Sequence, residues 1–251
     1  MESLGLGQFL RQQRRHLLAF ILHSSVELNL SPVVKYTALT FFAERFLPSL
    51  ERYNPDSRVR HWLLEPLTES NLQLFALISF WIASKVHDTS PLSVKTLKNF
   101  SDKVIQDQHF TARDFVDAEL IFMKVIRFDI GAMSITIIFL EELLTQFKQV
   151  AKAGDNMSLS SCLDIMDLLY ETEKLSKLYK YPPKLAASVL VTSYVIGVPK
   201  QRPEFPIIPW VKLATSYKEE DIAEIVRSIL EHVLGPTTED RVVVLKKLGG
   251  E

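Results

Sequence analysis

Apolar residues along the chain recur at helical spacing, and no stretch of useful length alternates as a strand would. Phe9 to Asn29 sets a basic turn against Leu17, Leu18, Phe20, Ile21, Leu22 and Val26, an amphipathic helix. Ser31-Pro32 restarts the chain, with Ser as N-cap and Pro at the first helical position. The helix this predicts runs over 33–47 and stops before Pro48. A loop from Ser49 to Glu69 follows, long for a compact domain, so it is either a functional surface or partly ordered by Trp62-Leu63-Leu64 docking back. Beyond it the pattern predicts helices at 70–87, 93–104 and 111–126. The one at 70–87 is apolar nearly all the way round, as a helix packed on most sides must be. The one at 111–126 repeats apolar residues at 115, 116, 120, 122, 123 and 126.

After Gly131 a second set begins: 135–150, a polar turn at 151–156, 158–178, and a small-residue helix entered through Tyr181-Pro182-Pro183 and ending near Ile196. A Pro-rich connector over 199–209 leads to a short helix at 210–215, and 219–234 closes the set. Each half thus holds about five helices, with a nearly all-apolar helix rich in small residues third. Ala76, Ser79 and Ala83, like Ala186, Ala187 and Ser188, allow neighbouring helices to approach closely. The predicted fold is all-α, two tandem five-helix units: 1–131 with a leading helix, 132–237, and a polar tail over 238–251.

Composition narrows the function mainly by exclusion. A net charge of -1 gives no global basic field for nucleic acid or an acidic membrane, and Arg11, Arg14, Arg15 and Arg52, Arg58, Arg60 read as solvated clusters. Cys162 is the single cysteine, so an intramolecular disulfide is ruled out, and its apolar surroundings predict a buried, inert thiol. The chain opens without a secretory signal and has no apolar run near ~18 residues, which predicts a soluble intracellular protein. The six histidines show no metal-ligand spacing, and no Gly-rich phosphate loop or nucleophile motif occurs. No catalytic residue, cofactor or metal is predicted.

Two charges stand out against this background. Lys85 ends the apolar helix at 70–87, where the helix dipole favours a cation, and Glu119 falls among the apolar positions of the helix at 111–126. Burying either alone is costly, so pairing is expected. The pair is either an intramolecular tie or the rim of a groove that offers donors and acceptors to a partner's backbone.

The run Ala83-Ser84-Lys85, then Asp117-Ala118-Glu119 and Phe128-Asp129-Ile130, resembles the cyclin box. Phe42-Ala-Glu-Arg-Phe-Leu47 is similar to the "(I/L)-D-R-F-L" end of the second box helix, and Tyr181-Pro-Pro-Lys-Leu-Ala-Ala-Ser188 to the "P-S-x-x-A-A-A" helix of the second box. Trp210 with Thr215-Ser216-Tyr217 resembles its "W … T-G-Y" passage, so the likeness spans about residues 9–235 and is nearest to the J-type cyclins of plants. The resemblance implies a non-catalytic regulatory subunit of a cyclin-dependent protein kinase, acting in cell-cycle control in nucleus or cytoplasm. It implies that Lys85 and Glu119 clasp the kinase's regulatory helix, with Val86, Phe122 and Phe128 on the kinase-binding face. A family docking patch for Arg-x-Leu substrates maps to Gln13, Leu17 and Phe20, where Gln and Phe replace the family's Met and Trp. No homo-oligomer, membrane or nucleic-acid partner is implied. The alternative is a box-fold scaffold, or a module like the B-type transcription initiation factor, without kinase activation.

Overall fold

Helix starts are set by side chains that accept a hydrogen bond from the backbone of their own first turn. Ser31, Thr68, Ser93, Thr111, Ser158 and Thr172 all do so, and Thr111 forms a reciprocal capping box with Asp114. Each cap satisfies an amide that would otherwise be unpaired, worth about 0.5–2 kcal/mol. The computed structural model describes residues 2–53, 61–131, 134–197 and 205–235. Pro55, Arg58, Arg60, most of the 199–209 connector and the tail from 238 onward lie outside them. Every regular element among the described residues is helical.

The chain divides into two compact units at Met133 and Ser134. In the first, α1 (Glu2–Glu27) starts seven residues before the predicted Phe9, and the turn after it closes on Asn29, whose φ of 49° is the left-handed conformation common for asparagine past a helix end. Next, α2 (Pro32–Leu39) passes into a π-helical stretch, Thr40–Phe46, and then α3 (Leu47–Leu50). The predicted stop before Pro48 therefore does not occur. Proline has no N–H and its ring collides with the carbonyl four residues back in an α-helix. Here the Leu47 N–H reaches the Phe42 carbonyl, five back, and the wider turn carries Pro48 into the first turn of α3.

The remaining elements of the unit are α4 (Glu69–His87), α5 (Val94–Val104) and α6 (Ala112–Val125), close to the predicted spans. α4 is the central helix and packs against α1, α2, α5 and α6. Ala76, Ser79 and Ala83 have no exposed surface, and the Ser79 hydroxyl is satisfied by the Ala76 carbonyl at 2.7 Å. The Phe46 ring stacks on Phe122 of α6 at 4.4 Å and meets Phe75 of α4 at 4.8 Å. Of the two readings of the loop before α4, its described end follows the docking one: Leu63 is fully buried, its carbonyl accepts from Asn71 Nδ2 at 3.1 Å, and Trp62 stacks over Phe110.

The second unit contains α7 (Thr136–Val150), a 3-10 turn (Lys152–Asn156), α8 (Leu159–Leu169), the one-turn α9 (Glu173–Ser176) and a 3-10 turn (Lys177–Lys180). The helix predicted over 158–178 is thus broken, because Thr172 caps a new start by accepting from the Leu175 N–H at 3.3 Å. Gly154 is required where it stands: a Cβ there would come within 2.8 Å of the Lys148 Cα. The central helix α10 (Pro182–Gly197) packs against α7, α8, α11 (Ile207–Thr215) and α12 (Glu219–Val233). α11 begins three residues earlier than predicted, with Pro209 in the first turn, where no amide hydrogen is needed. It closes on Ser216 at φ 62°, the position that is glycine in the "T-G-Y" pattern. Phe147 gathers Tyr194, Phe205 and Trp210 into an aromatic cluster.

Candidate functional site

The last turn of α4 brings Lys85 to Glu119 of α6, Nζ to Oε1 at 2.6 Å. Lys85 stays 40% and Glu119 25% exposed, so the pair sits at an open edge and is not sealed inside. One turn back on α4, Trp81 lies almost buried with its ring face 3.6 Å from Lys85 Nζ. A cation over an indole face is attracted by the ring quadrupole, so Trp81 holds the ammonium from below while Glu119 holds it from the side. An ammonium has three donors and a carboxylate about four acceptor positions. Both groups therefore keep capacity for a partner's backbone after bonding each other. Asp117 is half-exposed and pairs only loosely with Arg113, at 3.9 Å.

Apolar side chains that a solvated surface would not need surround this pair in sequence. Val86 follows Lys85 and is 49% exposed; Leu120 follows Glu119 and is 48% exposed. Val116, on the same stripe of α6 as Leu120, is 53% exposed, and Phe128, just past the end of α6, is 58% exposed. Clustered exposed apolar groups around polar ones mark binding surfaces more than they mark chance. Asp88 and Leu92 fix the chain that leaves α4: the Asp88 amide bonds to the Ser84 carbonyl and the Leu92 amide to the Ser84 hydroxyl, at 2.8 and 3.1 Å.

Lys85, Glu119, Val86 and Phe128 are thus all placed at the surface, but two sequence-derived assignments are corrected. Phe122 has no exposed surface and is stacked on Phe46, so it supports α6 from the core and touches no partner in this conformation. Leu17 is likewise a core residue, 1% exposed. Gln13 and Phe20 share its face of α1 and are half-buried, next to Arg14, whose guanidinium bonds to the Ala43 carbonyl and lies 3.9 Å from Glu44. Its burial removes Leu17 from any docking patch.

Trp81, Val116 and Leu120 adjoin the candidate site and were missed by sequence reasoning. Trp81 could have been found, since it stands four residues before Lys85, the spacing at which helix neighbours meet. Val116 and Leu120 were counted with the core period of 111–126. The buried stripe is in fact Phe115, Ala118, Ile121, Phe122 and Val125, and the others form a second stripe facing out.

Elsewhere, chemistry is sparse. Cys162 is buried as expected, and burial pushes its thiol above the ordinary range, which makes the thiolate scarce. Among the described residues there is no cluster of His, Cys, Asp and Glu able to hold a metal, and no helix long and apolar enough to cross a membrane.

Comparison with known proteins agrees with this architecture. The family model for the cyclin N-terminal domain matches residues 7–131. "Cyclin-J18-like" of Oryza sativa subsp. japonica is 55% identical over 230 residues, 89% of this chain and 88% of that protein. "Cyclin-J18" of Arabidopsis thaliana is 54% identical over 221 residues, 88% of this chain and 94% of that one. Among solved structures, the X-ray structure of a viral cyclin from herpesvirus saimiri matches with a TM-score of 0.64 at 16% identity, over 89% of this chain and 85% of that chain. At that identity the last likeness speaks to fold alone.

Proposed function

We propose that this chain, which belongs to the cyclin family, is a regulatory subunit that binds a cyclin-dependent protein kinase and activates it in cell-cycle control. The observation that carries the reading is the Lys85–Glu119 pair at 2.6 Å on an exposed edge, bordered by Val86, Leu120, Val116 and Phe128. Such a surface suits the kinase's regulatory helix: the apolar side chains bury against its apolar face, and the spare donors and acceptors of the pair satisfy its backbone ends. The kinase's own Lys–Glu ion pair is completed when that helix is pressed inward. Activation then follows from differential affinity, since a partner that binds the active conformer better shifts the population toward it. The chain supplies binding energy and no reacting group.

The test separates binding from folding. An exposed ion pair contributes about 0–1 kcal/mol to stability, whereas truncating one member of a pair desolvated by a partner costs about 2–5 kcal/mol of affinity, on the order of 30- to several-thousand-fold. Lys85→Ala and Glu119→Ala are expected to abolish kinase recovery and activation while the circular dichroism spectrum and melting profile stay near native. Undiminished binding, or equal loss of fold and binding, would make the pair an internal tie only.

A further inference from the structure

We infer that Arg45 is a positioning residue for this surface: it fastens the turn after α6 so that Phe128 stands out from the end of the helix that carries Glu119. The inference rests on the proposed kinase-binding role of that surface. Arg127 and Phe128 occupy consecutive left-handed conformations, with φ of 56° and 57°, which bulky L-residues rarely adopt. The Phe128 ring is mostly exposed, so its own burial does not hold it there. The local amide bonds, Phe128 N–H to the Met123 carbonyl at 2.7 Å and Ile130 N–H to the Phe128 carbonyl at 2.9 Å, shape the turn but tie it only to its own helix end. Such a conformation persists when its surroundings over-determine it.

Arg45 provides that outside hold. It reaches across from the π-helical stretch, 84 residues away in sequence, and its Nη1 donates to the Asp129 main-chain carbonyl while lying 3.2 Å from the Asp129 carboxylate. The carboxylate is 69% exposed, so the ion pair is screened. The carbonyl cannot rotate away, and a bond to it fixes the residue after Phe128 directly. Arg45 is itself well anchored. It is followed by Phe46, whose ring stacks on Phe122 inside α6, and its guanidinium lies 5.9 Å from the Phe41 ring centre. The fork of donors on arginine serves carbonyl and carboxylate together, which the point charge of lysine does not.

The full-length chain carrying Arg45→Met, Arg45→Lys or, as a surface control, Lys98→Met would be compared with the unaltered chain in two measurements. Amide hydrogen exchange is expected to quicken about tenfold or more at 128–130 in Arg45→Met, with 115–125 unchanged, partial recovery in Arg45→Lys and no effect in Lys98→Met. With a purified cyclin-dependent kinase subunit that the unaltered chain activates, Arg45→Met should raise Kd about tenfold and leave kcat at saturation unchanged. Phe128→Ala should then add little to it. Unchanged exchange at 128–130, protection lost throughout the first unit in both Arg45 variants, or an unchanged Kd would each overturn the inference. If the unaltered chain binds no such kinase, the proposed function falls, and the exchange result alone decides whether Arg45 holds the turn.

Discussion

The two central helices, α4 and α10, are built alike and place their single lysine at opposite ends. Both are apolar on nearly every side, both bury alanines and serines where neighbours cross, and both carry one lysine paired with a carboxylate on a later helix of the unit. In α4 that lysine lies in the last turn, on a Trp81 ring face, next to exposed Val86. In α10 it is Lys184 in the first turn, 3.0 Å from Asp221 at the start of α12, and the last turn of α10 carries no basic residue. A cation at a helix C-terminus is favoured by the dipole and one at an N-terminus is not, so Lys184 depends on the acidic first turn of α12 for its compensation. On the proposed reading, the same packing solution yields a partner-facing pair in one unit and a structural tie in the other. What separates them is the kind of surface around the charges: exposed Val86, Leu120 and Val116 neighbour the first pair, whereas Lys184 has exposed Tyr181 one turn back and lies 5.5 Å from the Tyr217 ring centre.

The comparison is broken most severely from inside the core. Phe122→Ala removes the ring stacked on Phe46 and should cost about 3–5 kcal/mol, measured as a lowered urea midpoint. Binding would then be lost together with the fold of the first unit. A stability change under about 1 kcal/mol with binding lost would instead return Phe122 to the contact surface. Next in size is the matched pair Lys85→Ala and Lys184→Ala. Both should change stability by about 1 kcal/mol or less, since all four side chains keep solvent access. Only Lys85→Ala should weaken kinase binding, by on the order of 30-fold or more. A similar loss from Lys184→Ala would show that the second unit also faces the partner.

Much of this was legible from residues alone because helices are local. Ser31-Pro32 and the small-residue stripes of α4 and α10 fix where an element starts and what can approach it, and the Lys85–Glu119 pair followed from two charges on apolar helices. What was hidden depends on relations across the chain. The passage of the helix through Pro48 requires the π-helical turn before it, which no residue type announces. Which apolar stripe of α6 faces the core is decided by α4, so Phe122 and the pair Val116 and Leu120 could not be told apart by periodicity. Leu17 was assigned to a surface through resemblance, whereas its neighbours in the fold enclose it.

A smaller effect tests whether Trp81 belongs to the site or only to the core. Trp81→Leu shortens a nearly buried side chain, so it lowers stability for packing reasons whatever else it does. A double-mutant cycle with Lys85→Met isolates the part that passes through the ammonium. The coupling in kinase affinity should be about 0.5–1 kcal/mol, the usual worth of a cation over an aromatic face at a partly exposed site. A coupling of zero would mean that Glu119 alone orients Lys85.

The smallest effect concerns a pair with almost the same geometry and different surroundings. On α5, Lys98 lies 2.7 Å from Asp102, with His109 at 3.3 Å, and no large exposed apolar side chain occurs on α5. The hydrogen bond from Lys98 is the largest influence on Asp102; desolvation opposes it, His109 adds to it, and the balance holds the carboxyl below its ordinary range. A carboxylate depressed in the folded state stabilises the fold above its unfolded pKa, and that contribution is lost as pH falls through the folded value. The loss is therefore confined to acid below the usual carboxylate range and leaves neutral pH untouched. Followed by carbon NMR of the carboxyl, the Asp102 midpoint should rise most in Lys98→Met and less in His109→Gln; the reverse order would assign the main hold to the imidazole. Kinase affinity should not change in either variant. If Lys98→Met weakened binding as Lys85→Ala does, ion pairing at a helix end would suffice to make a partner surface, and the apolar border of Val86, Leu120 and Phe128 would lose its role.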